Sequence, residues 1–331
     1  MKSLLEVPCY LIIFTDTILI EHIQKIRKEN SLDKLTQYYI YEPEQLDTFH
    51  YLQNVKANRE KYHPTKDERT CAESHLICCS KFELVLKSMT LNPFNTTKFG
   101  WMDANIGMNF SKICRNYKNN MLLKILQTCS PNKFHLQILN VCDKKFIQDN
   151  HLHEYYNQYR WVVCGSFFLT GKEIGTKILT ELKNIFIKHT LLGYGHAEEM
   201  FYLEILERFY DDIEKSYGDY NTIINNFLHI KEGLDYVYMI ATQYLHYGYY
   251  KECVDCCKKV IQSYENFSTE ISYDLYFHFM FTQYIAYYQI DKEHANFYAN
   301  DFLKKIFTNP LLFNEYKKNK HFYDTQFSLV L

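Results

Sequence analysis

The chain has 331 residues, more than one average domain holds, which predicts two units. Apolar residues at 47% and charged residues at 23% are ordinary globular usage, and 37 basic against 39 acidic residues leave a net charge of −2. Wholesale disorder is therefore excluded, and no basic field exists to draw the protein onto nucleic acid.

The bias is aromatic, with 30 tyrosines and 24 phenylalanines against 10 glycines. With its abundant Lys, Asn and Ile, this is the composition an AT-rich genome yields, so single aromatics are weak evidence of a site. The start, MKSLLEVPCYLIIF, has the outline of a signal peptide. Glu6 and Pro8 interrupt its apolar core, however, and no small-residue cleavage site follows. Pro8 to Phe14 reads instead as a strand covered on both faces. No apolar run approaches the roughly 18 residues that span a bilayer. Eleven cysteines, an odd number with no export signal, point to reduced thiols in a cytoplasmic compartment. The sequon Asn95-Thr96-Thr97 is then without consequence.

Thr15-Asp16-Thr17 can cap a helix in which Ile18, Ile20, Ile23 and Ile26 recur at helical spacing. Gln37 to Tyr41 reads as a second strand, and strand, helix, strand is the opening of a layered α/β fold. Residues 42 to 75 are polar helix and loop. Ser80 to Met89 has an amphipathic helical pattern ended by Asn92-Pro93. Lys98 to Met102 follows as a strand, with Asp103 at its carboxyl end. A carboxylate in so apolar a setting needs a cation, a metal or N–H donors, and ligands in open α/β sheets bind beyond the carboxyl ends of strands. The bland alternative for Asp103 is a strand-end cap or turn former.

Five of the ten glycines lie between Gly165 and Gly195. Trp161 to Leu169 has strand character with Gly165 inside it, where a glycine marks a bulge or a close approach. His196-Ala197-Glu198-Glu199 opens a helix running through Phe209, and its two acids also suit the macrodipole of a helix start. From about Gly233 the pattern is helical only. Ala241, Tyr244, Gly248, Tyr250, Cys253, Cys257 and Val260 stand at the spacings of a tetratricopeptide-type hairpin. A weaker copy, with Ala286, Ala295, Ala299 and Phe302, follows about 42 residues on, longer than the ordinary repeat. Two such pairs are too few to stack alone, so they are expected to pack on a first domain, the boundary falling near 232.

Two clusters resemble metal sites. Cys253, Cys256 and Cys257 include a CxxC, but no second pair stands at zinc spacing and the hairpin register accounts for the thiols as core. His151-Leu152-His153-Glu154 lacks a third partner nearby and reads as a solvated loop. No Walker loop, GxGxxG or GxSxG is present, which argues against a P-loop NTPase, a dinucleotide enzyme and an α/β hydrolase.

Four segments, SKFELVLKSMTLNPFNTTKFGWMDANI (80 to 106), WVVCGSFFLTG (161 to 171), AEEMFYLEI (197 to 205) and GDYNTIINNF (218 to 227), resemble the HtrL/YibB-like family of glycosyltransferases with the A-type (GT-A) fold. The resemblance covers roughly residues 8 to 230 and is most specific in Asn-Pro-Phe followed by Trp-x-Asp. It implies a GT-A-like domain over 1–232, a nucleotide-sugar donor, and Mn²⁺ or Mg²⁺ held by an Asp-x-Asp-like element matched by Asp103. Trp101 stands beside it. The second acid of that element is absent, since Ala104-Asn105 follow; Asn105, through its amide oxygen, and His229 downstream are the further ligand candidates. An ordinary helix-surface role competes for His229.

The resemblance places the donor's base and ribose at Phe14, Thr15 and Asp16 and its diphosphate at Lys81. Gly165 and Ser166 would border the sugar or acceptor, and Glu199 would polarise or deprotonate an acceptor hydroxyl. Phe14 can equally be core, and Lys81 a solvated residue in a helix's first turn. The acceptor is open: glycan, protein or lipid. The alternative reading is a catalytically inactive member acting through its tetratricopeptide-like helices, 233–331, on a protein partner.

Overall fold

The computed structural model describes residues 2–62, 71–104, 106, 118–195, 197–267, 270–318 and the single positions 320, 321, 323 and 325. Asn105 lies outside the described residues. The chain is mixed α/β with a C-terminal helical region and divides into two units, Met1–Lys215 with Tyr220–Ile224, and Ser216–Asp219 with Asn225–Leu331. Among the described residues no helix is long and apolar enough to cross a membrane.

The first unit opens with helix α1 (Lys2–Leu5), strand β1 (Leu11–Thr15), helix α2 (Ile20–Glu29) and strand β2 (Thr36–Ile40). β1 and β2 pair in parallel, Leu11 opposite Thr36 and Thr15 opposite Ile40, with α2 as the crossover. The Asp16 carboxylate takes the backbone N–H groups of Ile18 and Leu19 at 2.9 and 2.8 Å, closing the turn into α2. Arg27, fully buried on α2, donates to the carbonyls of Leu5, Val7 and Cys9 and to Thr36 Oγ1. That guanidinium fastens the amino-terminal segment by satisfying carbonyls that burial would otherwise leave bare.

Helix α3 (Leu52–Tyr62) precedes α4 (Ala72–Leu91). The helix expected from Ser80 starts eight residues earlier, at Ala72, because Cys71 and Ser74 cap it reciprocally. Lys81 consequently stands in mid-helix, not in a first turn, and it is buried. The stop at Asn92 is as expected: the residue adopts φ 32° and exchanges side-chain hydrogen bonds with the Thr96 backbone.

Strands β3 (Lys98–Met102), β4 (Phe134–Ile138), β5 (Phe167–Gly171) and β6 (Ile213–Tyr217) form a sheet in the order β3-β5-β4-β6, β5 running antiparallel to β3 and to β4. Gly100 pairs with Leu169, and a Cβ there would meet the Phe168 carbonyl at 2.5 Å. The strand expected over 161–169 forms later: Val163 makes only an isolated bridge with Ile138, and Gly165 and Ser166 turn the chain into β5. Helices α5 (Asn119–Thr128), α6 (Leu152–Tyr156) and α7 (Lys172–Leu191) complete this part. The acidic start after Gly195 is a 3₁₀ turn, Glu198–Phe201, that continues as α8 (Tyr202–Arg208). His151 sits at the entry to α6, its Nδ1 3.3 Å from Glu154 Oε2.

The second unit is helical: α9 (Leu234–His246), α10 (Tyr250–Phe267), α11 (Tyr273–Ile290), α12 (Ala295–Thr308) and α13 (Pro310–Lys318). α9 and α10 form the expected hairpin about Gly248, whose φ is +75°. Ala241, Cys253, Cys256, Cys257 and Val260 are wholly buried, as the core reading of the cysteines requires. Ala286, Ala299 and Phe302 are buried in the following pair. This unit also takes in 216–219 and 225–232 ahead of its first helix.

Candidate functional site

The site grows from the β3/β5 register. Met102 pairs with Phe167, so the residue leaving β3 meets the residue entering β5, and the Asp103 N–H donates to the Ser166 carbonyl at 2.9 Å. Trp101 and Asp103, two apart on an extended chain, share a face. The indole N–H of Trp101 donates to Asp103 Oδ1 at 2.5 Å.

Lys81 reaches this point from α4. Its ammonium donates to Glu198 Oε1 at 2.6 Å and to the Gly165 carbonyl at 2.9 Å. It also stands 4.0 Å from Asp103 Oδ1 and 5.7 Å from the centre of the Trp101 ring. The Lys81 side chain is 2% exposed and that of Asp103 31%. Gly165 is required by the closeness of the acids: a Cβ there would lie 2.8 Å from Glu198 Oε1 and 3.2 Å from Glu199 Cγ. Tyr220 completes the cluster by donating its hydroxyl to Glu199 Oε1 at 3.3 Å.

Burial disfavours the charge on Lys81, but the carboxylate of Glu198 and then that of Asp103 more than offset it, and the ammonium titrates well above the usual lysine range. Burial works against the Glu198 carboxylate as well. The Lys81 charge and hydrogen bond outweigh it and hold Glu198 below the ordinary glutamate value. Glu199 goes the other way: burial, reinforced by the neighbouring Glu198 charge, raises it well above that value and favours its acid form. The site thus holds an ion pair, a carboxyl group biased toward its acid form, and the partly exposed side chain of Asp103. The Cys164 thiol beside it is pushed far up by burial, which removes it as a nucleophile.

Of the residues singled out in the sequence, Lys81, Trp101, Asp103, Gly165, Ser166 and Glu199 converge here. Phe14 and Thr15 end β1, and Asp16 follows it. Phe14 stacks on Tyr39 at 5.5 Å, the Thr15 carbonyl accepts from the Tyr41 N–H, and Asp16 holds the turn into α2. Phe14 and Trp101 line one cavity. Glu198, the other acid of the pair that the sequence offers at the acidic helix start, joins the cluster, and Tyr220 is an addition that the sequence signals only by its place in one of the four family-like segments.

The metal expectation meets an incomplete donor set. Asp103 is placed at the site, whereas His229 belongs to the second unit, its ring stacked on Phe267 at 3.6 Å. Among the described residues no three His, Cys, Asp or Glu side chains are grouped to hold a metal ion. Asp103 also faces the Lys81 ammonium, whose charge opposes that of a second cation. Asn105, the remaining expected ligand, lies outside the described residues. Compared with protein-family models, curated proteins and solved structures, the chain matches none.

Proposed function

We propose that the first unit is a glycosyltransferase of the GT-A type, moving a sugar from a nucleoside-diphosphate donor to an acceptor hydroxyl. One observation carries the reading. Gly165 and Glu198, 84 and 117 residues from Lys81 and, with it, drawn from three of the family-like segments, both accept hydrogen bonds from its ammonium beside Asp103 at a strand end. A departing diphosphate gains negative charge, and the buried Lys81 ammonium is a fixed positive charge close to that point. Glu199, in its acid form, can donate a hydrogen bond to an oxygen of the acceptor or leaving group. Phe14, Thr15 and Asp16 would meet base and ribose, with Gly165 and Ser166 bordering the sugar.

The test is a thermal-shift screen of nucleotide sugars with and without Mn²⁺, since a ligand of the native state raises the melting temperature with its occupancy. At least one donor should raise it, and Asp103→Ala should abolish any increment that Mn²⁺ adds. A flat response to every donor would sink the transferase reading; a Mn²⁺ increment that survives Asp103→Ala would sink the metal role. The Lys81 ammonium 4.0 Å from Asp103, where the transferase reading calls for a metal ion, favours a second reading, an inactive transferase-like unit whose tetratricopeptide-like helices bind a protein partner. The flat response is the outcome it expects.

A further inference from the structure

A cavity of about 720 Å³ in the first unit is lined by consecutive residues of β1 and β3 together with side chains of α4 and α5. Its volume is that of a small-molecule site. Leu11, Ile13, Leu84, Leu122, Leu126 and Leu169 typify its wall. Several of the polar side chains there are turned to protein partners. Ser88 donates to the Leu84 carbonyl, and Asn92 and the Thr96 backbone bond each other. The ammonium of Lys98, which lines the cavity, is taken up by the carbonyls of Leu126 and Gln127 at 2.7 and 3.0 Å. Cys9 also lines the cavity, and burial pushes its thiol up to about 11, so it contributes no charge.

The cavity is open to solvent and most of its lining is apolar, so water against that part finds few of the two to four polar partners each molecule needs, whereas an apolar occupant buries the surface. The polar end of the cavity is where Trp101 lines it, since that indole N–H is bonded to Asp103.

We propose that the cavity binds a single hydrocarbon chain, acyl or prenyl, of an amphipathic ligand whose head group lies toward Trp101 and Asp103. The inference does not rest on the transferase reading, because binding is measured without a nucleotide. The full chain is titrated with the apolar fluorophore N-phenyl-naphthylamine, and the bound probe is then competed with palmitate or with farnesol. Saturable binding, displaced by one or both competitors, is the expected result, and the stronger competitor tells an acyl source from a prenyl one. Leu126→Trp, which fills the cavity from α5, should weaken probe binding about tenfold; Leu11→Phe fills it from β1 and serves if the first variant loses its circular dichroism. A probe signal that never saturates, a saturated probe that neither competitor displaces, or a folded filled variant that binds as the wild type does would each overturn the proposal.

Discussion

Replacing Lys81 by methionine would leave the Glu198 carboxylate buried without its ammonium partner, since the two are in contact at 2.6 Å and nearly free of solvent. Breaking a buried pair from one side costs about 3–5 kcal/mol, whereas exchanging both members for apolar groups of similar volume is close to neutral. Lys81→Met should therefore lower the urea midpoint sharply, and Lys81→Met combined with Glu198→Leu should recover most of the loss. Equal loss in single and double variants would show that the pair does not act as a unit. Glu199 gives a pH signature of its own. Burial and the Glu198 charge raise its folded value above the ordinary 4.5, so its stabilising contribution is complete below that pH and is lost as pH rises through the folded value. Glu198, held down by Lys81, behaves oppositely: its contribution is present above 4.5 and is lost as pH falls through its lowered folded value. Denaturation midpoints followed upward from pH 4.5 in the wild type and in Glu199→Gln therefore separate the Glu199 contribution by difference. Glu199→Gln, which cannot ionise, should show a shallower decline than the wild type, and equal slopes would refute the raised Glu199 value.

At the level of elements, the turn between α9 and α10 isolates a purely backbone effect. Gly248 has φ +75°, and a Cβ added there would find no neighbour nearer than 3.9 Å. Gly248→Ala should consequently cost about 1–2 kcal/mol in chemical denaturation through the left-handed conformation alone, and Gly248→Asn less. Equal costs for the two variants would point instead to altered packing. This turn was legible in the sequence because glycine and helical periodicity mark it directly, as were β3 and the end of α4 at Asn92. The start of α4 was not legible, because its cap is a cysteine, outside the residues that ordinarily signal one. That single omission moved Lys81 from an exposed first turn to the buried centre of the helix. The beginning of β5 misled for another reason: Trp161 to Val163 have strand composition, but the chain makes only one bridge there before Gly165 turns it. No local pattern could announce a bond between residues 81 and 198, since it exists only once α4 and the 3₁₀ turn at Glu198 pack together.

For the molecule as a whole, the division into units sets where the helical region can be cut. Tyr217, fully buried, belongs to the second unit: its hydroxyl donates to Asp255 Oδ2 at 2.7 Å, and its ring lies edge-on to Tyr244 at 6.2 Å. Asn226 then clasps the approach to α9. Its amide nitrogen donates to the carbonyls of Tyr217 and Glu232, and its oxygen accepts the N–H groups of Lys231 and Glu232. The Ile230 N–H reaches Ser263 Oγ on α10 at 3.1 Å. A cut at 233, where helical periodicity begins, discards all of these, and loss of one fully buried aromatic alone is worth about 3–5 kcal/mol. A fragment spanning 216–331 should therefore melt cooperatively and well above a fragment spanning 233–331 when both are followed by circular dichroism. Coincident melting curves would mean that Tyr217 and Asn226 contribute nothing to the helical unit, and that its stability resides entirely in the packing of α9 to α13.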